Sequence, residues 1–394
     1  MAVSFACAPM TLFGEGILPE IVPYIKRAGV KKALILSDRG LEKAGLLEGL
    51  YQTFTQAEIC YCTYLDVQPN PTLENVKESL EQYRKEHCDF LISMGGGSVA
   101  DCAKAVRLLL GNGGELRAYR GANKSKAKGP FYIAVNTTAG TASEISRAFL
   151  ISDTERQEKM IFKDDYVMAD IAVEDVSLTT GLPAAITAQT GMDALTHAVE
   201  GYLSSRHSFL TDMAAENAIE LILRWLPEAV EQGRNQAARE GMIYAQYLAG
   251  MSFGNAGLGL VHAMAHQLGA VYGLPHGLCN AVLLPYVLEF YRPFSKERMA
   301  QLGRVLAGEK EAGEHTAEEY ARMAVHIILR LSHRLGTDSS LKSLGVKEED
   351  LLLLTEKALA DGCIATSPVM ADRQQVLKIY QNAWEGGGID GAGR

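Results

Sequence analysis

The sequence predicts two domains of different class. Residues 1–180 read as an α/β domain, a parallel sheet with helices on both faces, and residues 181–394 as an all-α domain. Three observations predict this. At 394 residues the chain is too long for one ordinary core. Before about residue 180, short apolar runs that end in turns alternate with helical patterns, as crossover units between parallel strands require. After about residue 181 the strand signal fades, and helical stretches follow one another between Gly and Pro residues.

In the first half, "KKALILSD" (31–38), "DFLISMGGGS" (89–98) and "FYIAVNTTAGTAS" (131–143) are strand-like runs with polar or glycine-rich ends. "CYC" (60–62) reads as an alternating strand segment, since no second cysteine pair follows to make a metal site. "TLENVKESLEQYRKEH" (72–87) reads as an amphipathic helix with Leu73, Val76, Leu80 and Tyr83 on one face. The second half runs from "PAAITAQTGMDALTHAVEGYLS" through "FLTDMAAENAIELILRWLPEAVEQG" to "RQQVLKIYQNAW", rich in Ala, Leu, Glu and Met. The closing "EGGGIDGAGR" (385–394) reads as a flexible tail.

Composition narrows the function classes. With 47% hydrophobic and 22% charged residues the chain reads as globular, and no uncharged apolar run reaches the length of a membrane span. The first residues lack the basic and apolar regions of a secretory signal, so a cytoplasmic location is expected. A net charge of −9 without a dense Lys/Arg cluster argues against nucleic acid or an anionic membrane as partner. "NKSKAKG" (123–129) reads as a solvated loop. Seven scattered cysteines argue for a reducing compartment and against a disulfide framework; Cys363 among them reads as a buried structural thiol.

Two constellations carry chemistry. In "ISMGGGSVADCAKAV" a strand runs into Gly95, Gly96 and Gly97 and then into a helix opened by Ser98. Free N–H groups and the dipole at such a helix start suit a phosphate, and missing side chains let its oxygens approach. Ser98 and Asp101 fit the spacing of a capping box. Asp38, at the end of the first strand, can accept bonds from a ribose and repel a 2′-phosphate, or cap the following helix. "NTTAGTASE" adds Thr137, Thr138 and Thr141 at a third strand end. Three polar strand ends in one parallel sheet are what a dinucleotide crevice needs, although the GxGxxG spacing is absent.

The second constellation lies in "GLGLVHAMAHQLGAVYGLPHGLCNAVLLP" (257–285), which holds three histidines and no Lys, Arg, Asp or Glu. His262 and His266 are four apart on one helix, and His276 follows Pro275 at the start of the next element. Asp193 and His197 in "GMDALTHAVEG" are also four apart. One carboxylate with imidazoles suits Fe²⁺ or Zn²⁺. Spacing leaves open which three of His197, His262, His266 and His276 are ligands.

Together, "GGGSVADCAKAV", "NTTAGTASE", "GMDALTHAVEGY" and "GLVHAMAHQLGAVYGLPHGLCNAVLLPYVLEF" resemble the iron-containing (group III) alcohol dehydrogenases, from about Phe13 to about Trp384. The resemblance implies an N-terminal dinucleotide domain, a C-terminal helical domain and an active site in the cleft between them. It implies NAD(H) and Fe²⁺ as cofactors, Zn²⁺ being an alternative ion, a small alcohol or aldehyde as substrate, and a homodimer or larger assembly. The metal ligands it implies are Asp193, His197, His262 and His276, with His266 as a proton-relay group. Gly95, Gly96, Gly97 and Ser98 match the pyrophosphate loop and Asp101 its helix. Thr137, Thr138 and Thr141 match a second nucleotide segment, Lys159 a ribose contact, and Asp38 the position that favours NAD over NADP. One departure is "CIATSPVMADR" (363–373), which keeps only Pro368 of the family's Asn-Pro-Arg sequence. The competing expectation is a dehydroquinate-synthase-like lyase on the same scaffold. Its polyanionic substrate needs Lys and Arg that the metal-bearing motifs lack.

Overall fold

The computed structural model describes residues 5–156, 158–308 and 313–389. The last five residues of the expected tail lie outside that set. The chain divides into two compact units, one Cys7–Gly181, the other starting at Leu182 and also taking in Phe5 and Ala6.

The first unit carries β1 (Thr11–Gly14), α1 (Val22–Ala28), β2 (Lys32–Leu36), α2 (Arg39–Lys43), α3 (Glu48–Ala57), β3 (Cys60–Tyr64), α4 (Leu73–Lys85), β4 (Phe90–Gly95), α5 (Gly97–Asn112), β5 (Gly121–Ala122), β6 (Phe131–Asn136), β7 (Ala148–Asp153), β8 (Glu158–Lys163) and β9 (Ile171–Asp175). Six strands form a parallel sheet in the order β1-β9-β6-β4-β2-β3. Successive side chains of a strand point to opposite faces. Leu34, Leu36 and Leu91 accordingly join one buried cluster with α4 and α5, while Ala33, Ile35, Phe90 and Ile92 join another with α1 and α3. That double burial explains the near-continuous apolar runs in the sequence. β2, β4 and β6 are neighbours, so the three polar strand ends lie side by side; Gly95 sits opposite Asn136 in the register. The expected helix over 72–87 is α4, capped by Thr72 and Asn75.

A second sheet, β5-β8-β7, has no counterpart among the strand-like runs of the sequence; in it β7 and β8 form an antiparallel hairpin. The strands of the hairpin alternate buried and half-buried residues and carry charges, so they lack the apolar runs that mark the main sheet.

The second unit is helical: α6 (Ala184–Leu203), α7 (Phe209–Glu231), α8 (Gln236–Ala256), α9 (Leu260–Tyr272), α10 (His276–Tyr291), α11 (Lys296–Ala307), α12 (Ala317–Arg334), α13 (Leu351–Leu359) and α14 (Arg373–Glu385). α6 is buried on nearly all sides, and its small residues allow it: at Gly191 and Gly201 an added Cβ would lie 2.2 Å from Leu226 and 2.5 Å from Ser252. α9 ends at Gly273, whose φ of +67° is the left-handed cap that glycine tolerates. Pro275 then precedes His276, the first residue of α10. Among the described residues no helix is long and apolar enough to cross a membrane. None of the seven cysteines is in a disulfide.

Candidate functional site

Three helices of the second unit bring Asp193 and His197 (α6), His262 (α9) and His276 (α10) together. From Asp193 Oδ1 it is 3.9 Å to His197 Nε2, 3.8 Å to His262 Nε2 and 3.6 Å to His276 Nε2. One ligand atom from each of the four lies within 4.8 Å of all the others. Ligands about 2.1 Å from a single ion sit roughly 3.4 Å apart in a tetrahedron, so these spacings suit one small cation. Asp193, His197 and His262 are buried and His276 is partly open. No Lys or Arg bonds to the Asp193 carboxylate among the described residues. A buried carboxylate needs a positive partner, and a bound cation supplies one.

Residues outside the expected set hold this arrangement. Glu200, one turn beyond His197, is 3% exposed. Its Oε2 lies 2.6 Å from His262 Nδ1, and its Oε1 accepts the Val261 N–H at 2.7 Å. The Glu200 carboxylate therefore fixes the proton of His262 on Nδ1 and leaves the Nε2 lone pair facing the other ligands. Gly259 makes room for this contact, because a Cβ there would lie 2.8 Å from Glu200 Oε1. Asn280, one turn after His276, places its amide nitrogen 2.6 Å from Asp193 Oδ1, 3.1 Å from His262 Nε2 and 3.2 Å from His276 Nε2. Three acceptor atoms thus converge on one donor, which is how a cation's ligands must point. Asn280 Oδ1 is buried without a hydrogen-bond partner. Glu200 stands one helical turn beyond His197 and Asn280 one beyond His276, but in the sequence that position does not set them apart from ordinary helix residues.

His266, on the same helix as His262, is not part of the four-residue group. Its ring stacks on that of His276, with centroids 5.4 Å apart. Its Nδ1 lies 2.9 Å from Asp361 Oδ2, which also accepts from Gln267 Nε2 at 3.2 Å. Burial alone would push the Asp361 carboxyl up, yet His266 and Cys363 together hold it below its ordinary value. Cys363 is half-buried beside this pair, against the expectation of a buried structural thiol.

The first unit assembles the glycine-rich loop. α5 begins after Gly96, and no side chain caps it, so its first N–H groups stay available to an anion. The expected Ser98–Asp101 capping box does not form. Asp101 is drawn away: Oδ1 accepts from Ser143 Oγ at 2.7 Å and Oδ2 from the Leu150 N–H at 2.9 Å. Burial drives the Lys104 ammonium beside it down to about 8. Asp101 therefore braces the 143–150 segment against α5. Ser98 Oγ accepts from the Asn70 N–H, and Asn70 Oδ1 accepts from Lys159 Nζ at 2.8 Å, which links Lys159 to the loop.

The loop is a close-fitting cradle. A Cβ at Gly96 would lie 3.2 Å from Thr138, and one at Gly97 2.8 Å from Thr141. Thr138 Oγ1 is buried without a partner, an orphan hydroxyl at the edge of that cradle. The Thr137 N–H donates to Gly95 O, and Thr141 Oγ1 accepts from the Ser143 N–H. Asp38 caps α2 by accepting from the N–H groups of Gly40 and Leu41. The donor set, the bare helix start and the unpaired hydroxyl fit a pyrophosphate-bearing cofactor.

Two family models match the chain. The family model "Iron-containing alcohol dehydrogenase" matches residues 8–176, and "Fe-containing alcohol dehydrogenase family, C-terminal" matches residues 187–384. The chain is 43% identical to alcohol dehydrogenase 4 of Schizosaccharomyces pombe over 382 residues, covering 96% of this chain and 89% of that protein. It is 39% identical to an NAD-dependent methanol dehydrogenase of Bacillus methanolicus, covering 96% and 99%. A crystal structure of a 1,3-propanediol oxidoreductase superposes with a TM-score of 0.94 at 38% identity, covering 97% of this chain and all of that one.

Proposed function

The chain belongs to the iron-containing alcohol dehydrogenase family, and from that premise we propose that it interconverts a short primary alcohol or diol and its aldehyde with NAD(H). The convergence of Asp193, His197, His262 and His276 carries this reading. Those four side chains would hold Fe²⁺, or Zn²⁺ in its place. Such an ion, when bound, supplies Lewis-acid polarisation of the substrate oxygen.

The rest falls to this chain's own groups. Glu200 holds His262 in the tautomer that presents Nε2. Asp361 holds the His266 proton on Nδ1, which leaves Nε2 to take the hydroxyl proton in oxidation and return it in reduction. Gly95, Gly96, Gly97 and the start of α5 receive the pyrophosphate, with Thr138 Oγ1 as a further donor. Ser98, Thr137, Thr141 and Lys159 border that cradle, Asp101 braces it, and Asp38 would meet the ribose. NAD(H), when bound there, would supply the hydride chemistry. The sequences around the ligands are apolar, which would limit the access of water to the reacting atoms. Alcohol dehydrogenase and 1,3-propanediol oxidoreductase relatives support a small neutral substrate over the polyanion of a lyase.

The test uses protein purified without air and loaded with Fe²⁺. NADH absorbance is followed against lactaldehyde, 3-hydroxypropanal, propanal and butanal. The expected result is NADH oxidation that a chelator abolishes and Fe²⁺ restores. No oxidation with any aldehyde, at full metal content, would overturn the reading.

A further inference from the structure

His266, Asp361 and Cys363 form a second group of converging donors. One nitrogen, one carboxylate oxygen and the sulfur all lie within 4.8 Å of one another. The His266 and Asp361 side chains are 4% and 6% exposed, and Cys363 is half-buried, which leaves a way in from its side. Asp361 starts the short turn Gly362–Thr366 and accepts the Cys363 N–H on Oδ1 at 2.9 Å, which fixes the sulfur beside the carboxylate. Among the described residues no Lys or Arg bonds to Asp361. Among the described residues its carboxylate is met by Gln267 Nε2, the Cys363 N–H and His266 Nδ1.

We propose that His266, Asp361 and Cys363 form a second metal site that takes a thiophilic divalent ion, Zn²⁺ or Cd²⁺, and thereby silences the relay histidine. An imidazole, a carboxylate and a thiolate are three ligands of a tetrahedral zinc site, with water as the fourth. The group Asp193, His197, His262 and His276 has no sulfur, so the two sites differ in the ion they prefer. Binding balances simply. The Cys363 thiol loses its proton to solvent, and the imidazole proton of His266 moves from Nδ1 to Nε2 as Nδ1 takes the ion. His266 Nε2 then carries a hydrogen and cannot accept one from a substrate hydroxyl. Ion binding at these three residues stands without the dehydrogenase reading; the silencing rests on it.

The experiment separates the two. The full chain, stripped of metal and refilled with ¹¹³Cd²⁺, is examined by cadmium NMR. Two resonances are expected, one shifted far downfield by a thiolate and one at the position of a nitrogen- and oxygen-ligated ion. The downfield signal should vanish in Cys363→Ser and in Asp361→Asn, while the other persists and reports the native helical unit. Should Cys363→Ser fail to fold and lose both signals, Asp361→Asn decides. A single resonance in the unmodified chain, or a downfield signal that survives Cys363→Ser, overturns the site. For the silencing, Fe²⁺-loaded enzyme is assayed with and without Cd²⁺ while its iron content is monitored. At constant iron the unmodified enzyme should slow at least tenfold, and Cys363→Ser should keep its own rate within twofold. Equal inhibition of both, or inhibition that tracks loss of iron, overturns the silencing. Absence of any aldehyde-dependent rate before Cd²⁺ is added, with both resonances present, counts against the dehydrogenase reading alone.

Discussion

At the scale of single residues, His262 is aimed by a carboxylate 62 positions away in sequence. Glu200→Gln keeps the shape and one acceptor, yet an amide cannot both accept from His262 Nδ1 and from the Val261 N–H as the carboxylate does. The expected cost is about 10–100-fold in metal affinity, read by competition with a chelator of known strength. Affinity equal to that of the unmodified chain would remove Glu200 from the centre. Asp38 allows a cleaner cut. Asp38→Asn keeps a cap for Gly40 and Leu41 and removes only the charge. It should raise kcat/KM with NADPH relative to NADH without changing stability, and an unchanged ratio would deny Asp38 a part in cofactor choice. The four ligands stand in the sequence as i, i+4 pairs and as a His after a helix-breaking Pro. Glu200 and Asn280 stand one turn beyond such ligands but read as ordinary helix residues. Only their burial, 3% and 0% exposed, marks them, and burial comes from three helices meeting.

At the scale of elements, the centre depends on how closely α10 approaches α6. Gly277 follows His276, and a Cβ there would lie 2.3 Å from the carbonyl oxygen of Gln189 and 3.4 Å from Asp193 Cβ. Backbone cannot swing aside as a side chain can. Gly277→Ala should therefore push the start of α10 off α6, at about 1–3 kcal/mol, and separate His276 from Asp193. The joint loss of unfolding free energy and of bound metal, by denaturant titration and elemental analysis, checks it. A variant with full metal content would mean that α10 yields elsewhere. The capping box expected at the head of α5 failed for a reason of the same kind. Ser98 and Asp101 have the right spacing, but Asp101 finds Ser143 and the Leu150 N–H across a loop, and those bonds outcompete the local one. Strands β2, β4 and β6 were legible because burial on both faces leaves an unbroken apolar run. The β7–β8 hairpin was not, since its alternating pattern with charges resembles loop.

At the scale of the whole molecule, every metal ligand belongs to the unit beginning at Leu182 and every residue of the glycine cradle to the unit Cys7–Gly181. Binding energy available only to a folded unit adds to the stability of that unit. An ion at 1,000 times its dissociation constant contributes about 4 kcal/mol, and an unfolded chain cannot assemble its ligands from three separate helices. For a unit of this size each kcal/mol moves the melting temperature by about 2–4 °C, so chelation should lower the transition of the helical unit by roughly 8–16 °C. NADH should instead raise the transition of the α/β unit, because Thr138 and the start of α5 lie there. Scanning calorimetry with a chelator and with NADH, separately and together, reads both. Two transitions that respond one to each ligand would place the two binding energies in separate units. A chelator that left every transition in place would mean that Asp193, His197, His262 and His276 hold no ion in the folded chain.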